Sequence, residues 1–141
     1  MRLLLPLWLF LSIAGPLRAS TDQEVAARKA VLDLAGAFGN DGFKLRDGSV
    51  TGVIHPHENV LVQVNLYAGN QYWFSAGADG KAKKLALAIF DEAGKLQTTE
   101  PYQDESKAAA GFSPETSGPY FIRLQEIEGE PANFCLIYSY K

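Results

Sequence analysis

The sequence predicts an all-β fold, an antiparallel two-sheet β-sandwich of the jelly-roll kind with one N-terminal α-helix. Two observations predict it: short segments alternate apolar and polar residues, and Gly-containing turns separate them. The segments include YWFSA at 72–76, LALAIFD at 85–91 and PYFIRL at 119–124. Period-2 alternation places one set of side chains on one face of a sheet, as in half-buried antiparallel strands. Seven to nine such strands in one domain are typical of a sandwich.

Residues 1–19 are predicted to be a secretory signal peptide and no part of the fold. Arg2 gives the segment a positive start, residues 3–14 are almost entirely apolar, and Ala19 is a small residue at the expected cleavage point. The apolar run is shorter than the roughly 20 residues of a membrane span, although an uncleaved anchor is the alternative. We therefore expect an exported protein, periplasmic or extracellular, without stable membrane insertion after cleavage.

The charge of the chain disfavours nucleic acid and anionic membranes as partners. The formal net charge is −3, and removal of Arg2 and Arg18 with the signal peptide takes it to −5. The one basic cluster is a group of lysines within residues 81–84, too small for a nucleic-acid footprint. The single cysteine, Cys135, lies in an apolar run, which indicates a buried and inert thiol.

Residues 20–40 are predicted to form the N-terminal helix, and residues 41–141 the sandwich domain. Thr21 and Glu24 have the spacing of a capping box, and Gly39 provides a left-handed stop. One face of the helix is apolar, with Ala27, Val31, Leu34, Ala35 and Phe38. This face needs a partner, so we expect the helix to cover one sheet face that includes Cys135 and Ile137.

Connections between the strands are predicted from turn residues. Gly69 and Asn70 are expected to join the strands at 60–66 and 72–76 into a hairpin. The polar segments 100–106 and 126–131 are expected to be loops.

Four motifs follow one another along residues 60–140. They are Y-x-F-x-A at 72–76, L-x-L-x-I-F-D at 85–91, S-G-x-Y-x-I-R-L at 117–124 and F-x-L-x-Y at 134–138. This order resembles the bacterial pre-peptidase C-terminal domain. The resemblance implies a compact jelly-roll-like sandwich that is non-catalytic and accompanies secreted enzymes; some members bind calcium or assist substrate attachment. No protease domain precedes the module here, which implies a stand-alone exported protein.

His55 and His57, with Glu58 beside them, are the candidate metal ligands. A closed zinc site needs three or four ligands, and the sequence offers no further His and no second Cys. A surface loop with solvated imidazoles is therefore the competing interpretation.

Calcium is considered because several turns carry carboxylates: Asp79, Asp91, Glu92, Asp104 and Glu105. These lack the D-x-D-x-D-G spacing, so solvated carboxylates are favoured and no cofactor is expected.

Trp73, Tyr67 and Phe90 are the candidate binding residues. If Tyr72 and Phe74 face the core, Trp73 and Tyr67 lie on the opposite sheet face. Exposed aromatic rings there suit a sugar ring or a protein partner. The alternative, which we favour, is that the helix covers them.

The sequence gives little support to catalysis. It has no G-x-S-x-G elbow, no glycine pattern for phosphate or dinucleotide binding, and no distinguished pair of carboxylates. We therefore predict a non-enzymatic exported module that binds another macromolecule, a protein or a polysaccharide, or supports an envelope or secreted assembly. The alternative is a carbohydrate-binding module that uses an aromatic sheet face, and a hydrolase is the weakest hypothesis.

Overall fold

The computed structural model describes residues 21–39, 41–46 and 48–141. The predicted signal peptide, Asn40, Asp47 and the side chain of Phe38 lie outside the described residues. Within them the chain forms one helix and nine strands. The elements in order are α1 Asp22–Gly39, β1 Lys44–Leu45, β2 Val50–Ile54, β3 Asn59–Leu66, β4 Tyr72–Ala78, β5 Ala82–Asp91, β6 Glu100–Asp104, β7 Lys107–Phe112, β8 Gly118–Gly129 and β9 Ala132–Tyr140.

Two antiparallel sheets form the sandwich, which confirms the predicted fold class. The larger sheet has the order β1-β9-β4-β7-β6, with β2 also paired to β9, and the smaller has the order β3-β8-β5. Their inner faces meet in one core, whose largest fully buried apolar side chains include Phe74, Leu85 and Ile122. Alternation along the strands places these side chains inside, because successive side chains point to opposite faces.

Helix α1 covers the outer face of the larger sheet. Its first turn is capped as predicted, since the Glu24 backbone N–H donates to Thr21 Oγ1 over 3.2 Å. The buried helix face and the sheet form a second apolar cluster of Ala27, Val31, Ala35, Cys135 and Ile137. The predicted assignment of Cys135 and Ile137 to the helix-covered layer is confirmed. Among the described residues, no helix has both the length and the hydrophobicity needed to cross a membrane.

The predicted hairpin of β3 with β4 is wrong. β3 pairs with β8 in the smaller sheet, whereas β4 pairs with β7 and β9 in the larger one. The connection therefore crosses between the sheets. Its turn is fixed by the Tyr72 hydroxyl, which accepts from Tyr67 N at 2.9 Å and from Asn70 Nδ2 at 3.1 Å. Gly69 has φ +92°, a conformation that favours glycine.

Two segments predicted as loops, 100–106 and 126–131, are strand over residues 100–104 and 126–129. Residues 100–104 form the exposed edge strand β6, which pairs with β7. Glu126 belongs to β8 and is buried. The first segment is polar because it lies at a solvated edge, and the strand part of the second carries the buried Glu126 and the exposed Glu128.

The two lateral sides of the sandwich differ in how the gap between the sheets is closed. On the β5–β6 side the sheets are joined, since Gln103 Nε2 donates to the Leu85 carbonyl. On the side of β2 and β3 the core residues Val60, Val62 and Val64 are only partly buried. The sandwich is therefore open between these two strands.

Candidate functional site

A cleft opens between the sheets on the side of β2 and β3. Its volume is about 340 Å³, within the range of small-ligand sites. Val62 and Val64 line it from β3. The core residues Phe74, Ile122 and Leu136 also line it. These three residues are themselves buried, so the apolar surface exposed in the cleft comes mainly from the half-buried Val62 and Val64.

A second depression of about 460 Å³ adjoins this cleft and shares Arg46, Asn65 and Tyr138 with it. Four tyrosines line it: Tyr67, Tyr72, Tyr138 and Tyr140. We call the two depressions together the tyrosine cleft.

The tyrosines of this cleft differ in how far their rings are exposed to solvent. Tyr72 is buried, and its ring lies 6.2 Å from that of Tyr138, centre to centre. Tyr67 and Tyr140 are 61% and 38% exposed. An exposed ring held beside a buried one offers a large contact area with little conformational entropy to lose on binding.

Arg46 is the one charged side chain among the described residues that line the tyrosine cleft. Its guanidinium carbon lies 5.4 Å from the centre of the Tyr138 ring, and its backbone N–H donates to the Tyr138 carbonyl at 3.0 Å. Burial raises the pKa of the Tyr138 hydroxyl, and the neighbouring guanidinium opposes that rise. The cleft therefore combines apolar walls, tyrosine hydroxyls and a single positive charge.

The three predicted binding residues do not share a surface. Tyr67 lies in the tyrosine cleft. Trp73 is half-buried on the outer face of the larger sheet, and Phe90 is half-buried on the outer face of the smaller one. The Arg123 guanidinium carbon lies 5.1 Å from the centre of the Phe90 ring. A binding role for Trp73 and Phe90 stays a prediction.

Trp73 packs across the backbone of Gly111 on the neighbouring strand. A Cβ at residue 111 would lie 2.9 Å from Trp73 Cζ2. We expect Gly111→Ala to displace the indole and to lower the free energy of unfolding by about 1 kcal/mol, because overpacking forces side chains from their preferred rotamers. Trp73 is the only tryptophan outside the predicted signal peptide, so its emission maximum measures the displacement. Gly80→Ala, where nothing lies within 4 Å, is the control; equal emission from both variants would contradict the packing.

The two histidines lie two residues apart in the segment between β2 and β3. His55 Nδ1 lies 2.7 Å from Glu58 Oε2, and both side chains are exposed. His57 has φ +64°, and its N–H donates to the Glu126 carbonyl at 2.8 Å. Among the described residues no group of three or more His, Cys, Asp or Glu side chains is arranged to hold a metal ion. Metal binding by His55 and His57, and calcium binding by the turn carboxylates, stay predictions.

Glu126 is a buried carboxyl that sequence reasoning missed. It is 0% exposed, and neither carboxyl oxygen has a hydrogen-bond partner among the described residues. Burial raises the pKa of this carboxyl, the charge of Asp79 raises it further, and His55 and His57 act in the opposite direction. Asp79 differs from it, because its two oxygens accept from Lys81 N and Asn133 N, each at 2.9 Å. The missed signal is alternation, since Glu126 follows Ile122 and Leu124 in the inward-facing series of β8.

A larger cavity of about 560 Å³ lies among turns at the Tyr120 end of β8. Its acidic lining includes Asp91, whose Oδ1 accepts from Lys95 N at 2.8 Å within the turn. This carboxylate already stabilises its own turn. The tyrosine cleft is the better candidate site because half-buried valines and exposed tyrosine rings line it, whereas most residues that line this cavity are polar.

Comparison with known proteins assigns no function. No protein-family model matches the chain, and no curated protein does. The resemblance to the pre-peptidase C-terminal domain therefore stays a prediction. The solved structures that are similar include the following two. The Aeromonas hydrophila protein PliG, a periplasmic inhibitor of g-type lysozyme, is 14% identical over 67% of this chain and 85% of its own, with a TM-score of 0.48. A de novo designed double-stranded β-helix is 21% identical over 64% of this chain and 97% of its own, with a TM-score of 0.37.

Proposed function

We propose that this chain is a non-catalytic exported β-sandwich module that binds another macromolecule through the tyrosine cleft. The observation that carries the proposal is the open side of the sandwich, where the apolar side chains of Val60, Val62 and Val64 stay partly exposed along β3. Apolar surface of this kind, with polar residues at its rim, marks interaction sites in soluble proteins. The predicted signal peptide supports a periplasmic or extracellular location.

The residue types of the cleft support binding to a protein. Tyrosine and arginine are enriched in protein interfaces and dominate their binding energy. Tyr67 and Tyr140 are exposed, and Arg46 lies between the two depressions. The competing carbohydrate hypothesis placed Trp73 and Tyr67 on one exposed sheet face, but Trp73 is half-buried against Gly111 on the larger sheet and Tyr67 lies in the cleft. The placement of the aromatic rings therefore favours a protein partner over a polysaccharide.

The chemistry of the cleft supports a non-catalytic role. General acid–base catalysis needs a group that exchanges protons near the working pH. The described residues that line the cleft include no Asp, Glu, His, Lys or Cys, and burial raises the pKa of the Tyr138 hydroxyl further from that range. Cys135 lies under helix α1, and burial raises the pKa of its thiol, which disfavours the nucleophilic thiolate.

Site-specific photo-crosslinking tests the proposed function. We expect p-benzoylphenylalanine at Asn65, an exposed residue that lines both depressions, to give one discrete protein adduct in an envelope or culture fraction. The same group at Tyr102, exposed on the edge strand β6, is the matched control and gives none. An adduct from Tyr102 alone, or no adduct from either position, would contradict binding through the cleft.

A further inference from the structure

Two strand edges flank the tyrosine cleft, and neither has a second partner strand in the described residues. β3 pairs with β8 through all eight of its residues, and β2 pairs with β9 through all five. Each strand is therefore an edge of its sheet. Unpaired backbone groups at a sheet edge are a template for an additional strand from another chain.

The β3 edge also has the apolar pattern that strand addition requires. An extended segment placed beside β3 directs alternate side chains toward the same face as Val62 and Val64. Both valines are half-buried and line the cleft, with Ile122 and Leu136 beyond them. One or two apolar side chains of an added segment would therefore enter the cleft, while the residues between them remain in solvent.

Charge complementarity identifies the other feature of the occupant. Arg46 is the one charged residue among the described residues that line the cleft, although the whole chain is acidic with a net charge of −3. The guanidinium group is suited to bidentate binding of a carboxylate. Arg46 belongs to both depressions, so a carboxylate there would sit next to the apolar side chains rather than far from them.

Granted the proposed function, we infer that the occupant of the tyrosine cleft is an extended peptide segment that pairs with the free edge of β3 and places a carboxylate on Arg46. Backbone hydrogen bonds provide part of the affinity, and the cleft selects alternate apolar side chains. The tyrosines cover the segment from the side, where their rings add contact area.

The probe is an acetylated peptide, Thr-Val-Thr-Val-Thr-Glu amide, titrated into the isotope-labelled chain and followed by amide NMR shifts. We expect shifts in β3 residues that face the cleft and in Arg46. Arg46→Gln weakens binding about tenfold, because a charge-assisted hydrogen bond is lost. Lys44→Gln, a charge change two residues away and outside the cleft lining, leaves binding unchanged.

Two matched probes identify the mode of binding. A peptide with the same side chains and N-methyl groups on alternate backbone amides cannot pair with a strand, so we expect it to bind at least tenfold more weakly. Equal binding of the methylated peptide would overturn strand addition. Decanoate carries the apolar chain and carboxylate without a peptide backbone, so shifts from decanoate and none from the peptide would overturn it as well.

The result of the peptide titration can be distinguished from the result of the crosslinking experiment that tests the proposed function. A crosslinked protein from Asn65 together with no peptide shifts in β3 would leave the binding function in place and overturn strand addition. Absence of the Asn65 adduct would contradict the binding function itself.

Discussion

Replacing Gly77 with valine is expected to displace helix α1 from the larger sheet and to lower the free energy of unfolding by about 3 kcal/mol. A Cβ at residue 77 would lie 2.6 Å from the Val31 backbone nitrogen and 3.0 Å from the Ala27 carbonyl oxygen. Backbone atoms inside a helix cannot give way as the end of a flexible side chain can. The added methyl groups must therefore push the helix outward and expose the cluster around Cys135 and Ile137.

Two measurements check this expectation, denaturant unfolding and the labelling rate of Cys135 by a thiol reagent. Cys135 is the only cysteine and is buried beneath the helix, so a displaced helix accelerates its labelling. Gly36→Ala is the matched control, because Gly36 lies on the exposed side of α1 with nothing within 4 Å. Better helix propensity is expected to stabilise that variant by about 0.5–1 kcal/mol. Unchanged stability and labelling in Gly77→Val would show that the close approach is absent.

The faces of the strands were predictable from the sequence, whereas their partners were not. Alternation in the segments 85–91 and 119–124 predicted that one set of side chains in each shares a face, and Leu85, Ile89 and Ile122 are the buried members, because a side chain's face depends only on its position along its own strand. The same alternation says nothing about which strand lies alongside. The turn at 67–71 has hairpin residues, yet the hydrogen bonds from Tyr67 and Asn70 to the Tyr72 hydroxyl help to hold a crossing between sheets.

The helix was predictable for a related reason. The cap at Thr21 and the apolar stripe through Ala27 and Val31 are local signals, and an apolar stripe requires a partner. The contact at Gly77 was not predictable, since it depends on how closely two backbones approach. Gly77 is an unremarkable residue in the sequence and becomes informative only when Val31 lies against it.

The candidate site was the least predictable part. Its tyrosines come from the end of β3, the start of β4 and from β9, and Arg46 follows the two-residue strand β1. No local pattern joins these segments, because they meet only where the two sheets leave a gap. Of the predicted binding residues Tyr67 alone lies there. Trp73 and Phe90 were grouped with it on the assumption of one shared face. The crossing between the sheets places Trp73 on the larger sheet, and Phe90 lies on the smaller sheet but outside the lining of the cleft.

Replacing Glu126 is expected to change how stability depends on pH. Burial raises the pKa of this carboxyl in the folded chain, with Asp79 adding to the rise and His55 and His57 opposing it. An unfolded Glu has a pKa near 4.3, so above about pH 4.3 the folded state binds more protons than the unfolded state. The free energy of unfolding therefore falls as the pH rises from that value through the folded pKa. Glu126→Gln removes this loss.

A comparison of Glu126→Gln with Glu126→Met separates the charge from the unsatisfied oxygens. Glutamine keeps polar atoms in a site where neither carboxyl oxygen has a described partner, so it flattens the pH dependence with little gain in stability. Methionine removes the polar atoms as well, and at pH 8 we expect it to stabilise the fold by about 1–3 kcal/mol over the native chain.

Chemical denaturation between pH 5 and 8 measures both effects. Glu128→Gln is the control, because Glu128 is exposed on the same strand. A parallel pH profile for Glu126→Gln and the native chain would mean that the buried carboxyl does not titrate in this range. The inner face of β8 is otherwise apolar at this end, so such a result would require partners that satisfy Glu126 in both protonation states.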